Sequence, residues 1–144
     1  MDWNVAATKI EEIARSVGLN ALDYVPDDMP NTAFYVGEMD VEPNQSFNKT
    51  LPDGTRAGID KADITCRVLV ARSSDKGAIR KLRQYGNGSG DKSLIEAIQK
   101  TNGQPDAYPW SGIVVRSVRT NRLFVVGESK FYGTEFELSV IGAA

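Results

Sequence analysis

Two stretches with a strict two-residue period constrain this chain more than anything else in it. Ile64, Cys66, Val68 and Val70 alternate with Asp63, Thr65, Arg67 and Leu69. Tyr132, Thr134, Phe136, Leu138 and Val140 alternate with Glu135, Glu137 and Ser139. Successive side chains of a strand point to opposite faces, so each stretch predicts a strand with one face on a core and the other partly wet. Between them lie two short helical patterns. Ala78, Ile79, Leu82 and Tyr85 mark the first, and Leu94, Ile95 and Ile98 the second, ended by Asn102-Gly103. Tyr85-Gly86-Asn87-Gly88-Ser89-Gly90-Asp91 breaks the helical period, with Ser89 or Asp91 expected to cap the second helix. After a loop from Pro105 to Pro109, strands are expected near 112–119, 122–128 and 130–141, with turns at Thr120-Asn121 and Gly127-Glu128-Ser129. This order predicts an α+β fold: a single domain over 1–144, a mainly antiparallel twisted sheet, and helices packed on one face.

The N-terminal third adds a helix and a strand. Ala6, Ile10, Ile13, Ala14 and Val17 recur at helical spacing over 4–17, with Glu11 and Glu12 expected in water and Gly18 as the stop. Pro26 and Pro30 bracket a stiff polar connection, and a strand starts at Ala33 and is expected to reach Val41. Residues 42–61 hold turn formers and only Phe47, Leu51 and Ile59 as sizeable apolar residues. Such a length without a period is unusual inside a compact domain, and it predicts a long hairpin arm, mobile in the free subunit.

Several function classes are disfavoured by composition. The 144 residues contain no histidine and one cysteine, Cys66, which the strand pattern places as a small buried hydrophobe. Without histidine there is no Cys-His or Ser-His pair, and most zinc sites are excluded. Carboxylates, lysines or tyrosines would need a special setting to catalyse, so no enzyme, catalytic residue, cofactor or metal is expected. No apolar run approaches the length of a membrane span and the N-terminus lacks a leader pattern; a soluble protein made in a cytoplasm is expected. The net charge of −2 argues against strong nucleic-acid binding. Its distribution is uneven: residues 1–63 carry twelve acidic and five basic side chains, residues 64–144 seven and twelve. Such a split suits a chain whose one side meets the opposite side of its neighbour, although charges separated in sequence can also mix in space.

Four local patterns invite a sharper interpretation. Gly86-Asn87-Gly88-Ser89-Gly90-Asp91-Lys92-Ser93 nearly spells a phosphate-binding loop, but Asp91 replaces the second glycine and the segment follows a helix, not a strand. Glu38, Asp40 and Glu42 alternate along one strand; they could hold a hard cation, or simply form a solvated acidic edge that discourages unwanted pairing. Lys76, Arg80, Lys81 and Arg83 could touch nucleic-acid phosphate, but without interleaved aromatics they read more simply as an exposed helix face or a partner contact. Tyr108-Pro109-Trp110 reads equally as an interface anchor or as a tryptophan folded over the core edge.

Taken in order, several segments resemble the tail-terminator family of long-tailed actinobacteriophages, small neck proteins of the head-to-tail connection. They are Phe34-Tyr35-Val36-Gly37-Glu38, Gln45-Ser46-Phe47, Ala62 through Ser73, Tyr85 through Gly90, Ser93-Leu94-Ile95, and Val126 through Gly133 running on to Gly142. The resemblance implies a non-enzymatic virion protein, assembled in the host cytoplasm, that forms a ring, hexameric in this family. That ring caps the tail tube and joins it to the head. The implied partners are further copies of the chain, the major tail-tube protein and the head-completion or stopper protein, with viral DNA passing through the ring without sequence-specific binding. Candidate interface residues are Lys76, Arg80, Lys81, Arg83 and Phe47. A stopper protein or tail-tube subunit is the nearest alternative; a small carboxylate-using enzyme and a generic binding module are the more distant ones.

Overall fold

The computed structural model describes residues 1–22, 32–42, 49–50, 56–57, 59–72, 80, 83–104, 106–126 and 129–143. The first helix, α1 (Trp3–Ser16), starts where the Asp2 carboxylate accepts from the N–H groups of Asn4 and Val5, at 2.9 and 3.2 Å. It ends in a left-handed residue, Gly18 (φ 91°). There the Gly18 N–H donates to Arg15 C=O, and the Leu19 N–H joins the Val17 N–H on Ala14 C=O, which satisfies carbonyls of the last turn. The expected apolar stripe is buried, but so is Glu11, which faces Arg15 one turn on and does not point to water. Arg15 also donates to the Ala21 carbonyl at 3.2 Å, tying the helix to the strand that follows.

Seven strands are described: β1 (Ala21–Leu22), β2 (Thr32–Glu42), β3 (Lys49–Thr50), β4 (Arg56–Ala57), β5 (Ile59–Arg72), β6 (Gly112–Val126) and β7 (Ser129–Ala143). Five form one sheet in the order β1-β2-β5-β7-β6, antiparallel except for the β1–β2 pair. β3 and β4 pair with each other as a small separate hairpin. This bears on the expected 42–61 arm. Its ends belong to the sheet, since Glu42 pairs with Lys61 and Ile59 with Ala143. Phe47 and most of the arm between those ends lie outside the described residues.

The meander after Gly112 has one strand fewer than its turn signals predict. Thr120-Asn121 is not a turn: β6 runs through it, and the ladder steps from Arg119↔Glu135 to Arg122↔Gly133 with one extra residue on β6. That is a bulge, and local turn propensity is absorbed by it without reversing the chain. A second bulge separates Val115 from Ser117, and a third sits on β2 between Val36 and Met39.

One face of the sheet carries Phe34, Val36, Ile64, Cys66, Val68, Phe136, Leu138, Val140 and Ile113, all buried under α1 and a second helix, α2 (Leu94–Gln99). α2 is capped by Ser93, not by Ser89 or Asp91. The Ser93 hydroxyl accepts from Glu96 N–H (3.1 Å), and the Glu96 carboxylate accepts from Gly90 N–H (2.9 Å). Trp110 is folded into the core edge, where its indole N–H donates to Thr101 Oγ1 at 2.9 Å and its ring stacks on Tyr108 at 5.2 Å. Of the first helical pattern, Arg80 and residues 83–85 are described and helical.

One polar atom sits badly in this core. The Thr134 hydroxyl is buried and, among the described residues, has no hydrogen-bond partner. A hydroxyl taken out of water without a replacement bond destabilises the folded state, so Thr134→Val should raise stability by about 1 kcal/mol. Thermal unfolding of the two proteins would show it; a lower midpoint for the valine variant would mean that the hydroxyl is satisfied in solution.

Candidate functional site

Among the described residues, charged side chains pair on the second face of the sheet, which α1 and α2 leave uncovered. Along β5 and β7 the residues alternating with the core point there, and they make a row of ion pairs. Arg67 Nε donates to Glu135 at 3.0 Å, Arg119 approaches the same carboxylate at 3.9 Å, and Arg116 Nη1 meets Asp63 at 3.2 Å. Arg67 is the centre of this row. Its guanidinium lies 5.0 Å from the Phe124 ring centroid and reaches the Tyr35 hydroxyl at 3.4 Å. Burial works against its charge, but the bonds to Tyr35 and Glu135 hold its pKa above the ordinary guanidinium value.

This face is not uniformly wet. At one end Tyr35, Leu69 and Phe131 are buried together with Phe124 against them. They close over Gly133, where a Cβ would stand 2.5 Å from Leu69 Cδ2 and 2.6 Å from Phe124 Cδ2. The aromatic ring thus covers bare backbone, which is how a glycine is tolerated inside a strand. At the other end Ile59, Val114 and Ile141 are exposed on the same face.

The sequence candidates fall unevenly on this frame. Arg80 and Arg83 are exposed; Lys76 and Lys81, with Phe47, lie outside the described residues. Glu38 and Asp40 are exposed on β2, and among the described residues no group of three or more Asp, Glu or Cys is placed to hold a metal ion. Lys92, the lysine of the phosphate-loop lookalike, donates instead to the Val17 carbonyl at 3.3 Å, and the Gly90 amide is taken by Glu96. Both groups that would hold a phosphate are therefore engaged, Lys92 in tying the turn before α2 to the end of α1 and Gly90 in the cap of α2 itself. A groove of about 780 Å³ runs between these helices, lined by Glu12, Ser16, Asp91, Glu96, Lys100 and Tyr108. Cys66 is fully buried, and burial pushes its thiol far above the ordinary range, so it is an inert packing residue. Sequence reasoning missed the Arg67–Glu135–Arg119 row because its members lie far apart in the chain; strand alternation was the one signal that pointed to it.

No protein-family model matches this sequence, and no curated protein matches it. Among the described residues no helix is long and apolar enough to cross a membrane.

Proposed function

We propose that this chain is a structural virion protein, the tail terminator of a long-tailed bacteriophage. In this role it forms a ring on the last layer of the tail tube and offers the joining surface for the filled head. The observation that carries the proposal is the one-sided sheet: among the described residues α1 and α2 cover one face, and the other presents paired charges flanked by apolar ends. A surface of that kind suits contact with protein neighbours more than turnover of a small molecule. The order of segments that resembles the family supports the same role. Copies of the chain, the tail-tube protein and the stopper protein are then its partners, with Arg80 and Arg83 among the exposed contacts.

Removing the coding sequence from a phage that carries it tests this directly. Electron micrographs of the lysate should show DNA-filled heads beside unattached tails, many longer than normal because nothing caps the tube. Heads that have lost their DNA beside tails of normal length would favour the stopper role, and absence of tails would favour a tube subunit.

A further inference from the structure

We propose that copies of this chain join edge to edge, with residues 115–118 of β6 in one copy adding antiparallel to residues 36–39 of β2 in the next and Arg116 set against Glu38. The ring form of this assembly rests on the proposed function; the join itself does not. Among the described residues both edges are open there. β6 is the last strand of the sheet, and β2 is paired on its outer side only at Phe34 and Tyr35, by β1.

The direction of the backbone groups follows from bonds already made. In a strand, residues sharing a face send their N–H and C=O groups to the same side. On β2 the core-facing Phe34 sends its N–H outward to Asn20 C=O at 2.8 Å. On β6 the core-facing Ile113 sends both groups outward, N–H to Asn102 Oδ1 at 2.8 Å and C=O to Asn102 Nδ2 at 2.9 Å. Val36 and Met39 continue the core face of β2, and Val115 and Val118 that of β6, so all four offer outward groups.

Register places these groups level with one another. Met39, Ile64, Leu138 and Val115 form one row across the sheet, and Val36, Cys66, Phe136 and Val118 another. The bulges of β2 and β6 both fall between these two rows, at the level of Thr65 and Glu137. Glu38 and Arg116 occupy those bulges. A second sheet laid alongside without a shift therefore brings kink to kink, outward groups to outward groups, and Arg116 to Glu38. Since β2 and β6 run in opposite senses within the sheet, the new pair is antiparallel and the extended sheet keeps its helices on one side. The pairing is bounded at both ends: Asn102 occupies Ile113, and β1 occupies Phe34 and Tyr35, where the bulge at Arg119–Arg122 lets the incoming strand turn away.

Charge selects this pairing over others. β6 carries Arg116, Arg119 and Arg122 and no acid, whereas residues 36–41 carry Glu38 and Asp40 and no base. Two β6 edges repel, two β2 edges repel, and only unlike edges attract. The charged, bulged edges that protect a strand from indiscriminate pairing thus leave one heterologous contact open.

The test uses the whole chain and two charge reversals at exposed positions, Glu38→Arg and Arg116→Glu, with Arg116→Gln as a milder variant and circular dichroism as the check on folding. Sedimentation from micromolar to millimolar concentration should show the wild type associating, less so at high salt. Each reversal should weaken association about tenfold or more. Mixing the two reversed proteins, or combining both changes in one chain, should restore it, because positions 38 and 116 then carry opposite charges again across the join, even though Asp63 has lost its Arg116 partner. Folded single variants that assemble like wild type, a mixture that fails to recover, or a wild type that stays monomeric throughout would overturn the proposal. Rings indifferent to all these changes would remove the edge contact and leave the terminator role standing. Open filaments that respond to them would keep the contact and remove the role.

Discussion

Replacing Trp110 with alanine should destabilise the domain by about 3–5 kcal/mol, a large part of what a chain of this size has to lose. The indole is 2 % exposed, stacks on Tyr108, and donates to a Thr101 hydroxyl that is itself buried and donates to Ile98 C=O at 2.7 Å. Alanine leaves a cavity at the junction of α2 and β6 and strips Thr101 of its donor. Trp110→Phe separates these effects: it keeps most of the packing and loses the bond, so about 1–2 kcal/mol is expected. Urea unfolding would measure both. A loss below about 1 kcal/mol for the alanine variant would mean that Trp110 is not part of the cooperative core.

The second large effect is alkaline. Burial raises the thiol of Cys66 and the phenol of Tyr85 above their ordinary values in the folded chain. In the unfolded chain the thiol ionises near pH 8.5 and the phenol near pH 10, by the reference values of about those sizes. Each group favours the folded, protonated state less as pH rises past its unfolded value, so stability is complete below about pH 8.5 and declines above it. The decline for the thiol alone should approach about 1.4 kcal/mol per pH unit for as long as the folded thiol keeps its proton. Cys66→Ala should flatten the first part of the curve, at a fixed packing cost of about 1 kcal/mol, and Tyr85→Phe the part above about pH 10. Unfolding titrations in reductant would show whether the slope changes. A parallel curve for Cys66→Ala would place the thiol in water.

Cys66 and Trp110 differ in how plainly residue order announces their places. The periods at 64–70 and 132–140 carry the core face of β5 and β7, and the helical stripe of α1 is equally plain, because burial on one face leaves a direct trace in the order of residues. Cys66 sits inside such a period. Trp110 does not, and an indole in a Pro-flanked loop carries no pattern that tells core from surface. The bulges are hidden for a different reason. Thr120-Asn121 has turn chemistry, and only pairing with Glu135 and Gly133 shows that the strand continues. The pair of Ala21–Leu22 with β2 is too short to have a pattern at all. Glu11 reads as a solvent residue until Arg15 is seen to cover it.

The bulge between Val115 and Ser117 works as a counting device. Upstream of it the odd-numbered residues Ile113 and Val115 face the helices, while downstream the even-numbered Val118 does. A deletion of one residue at this point would leave a smooth strand and keep every later side chain of β6 on its face, since Val115 would still oppose Leu138 and Val118 Phe136. A deletion between the two bulges would instead throw the side chains beyond it onto the wrong face unless a bulge moved to compensate. Sheet edges usually absorb gains and losses of single residues. Here that tolerance should be confined to the two bulges, and length variants that still fold should lose their residue there and not elsewhere between Gly112 and Val126.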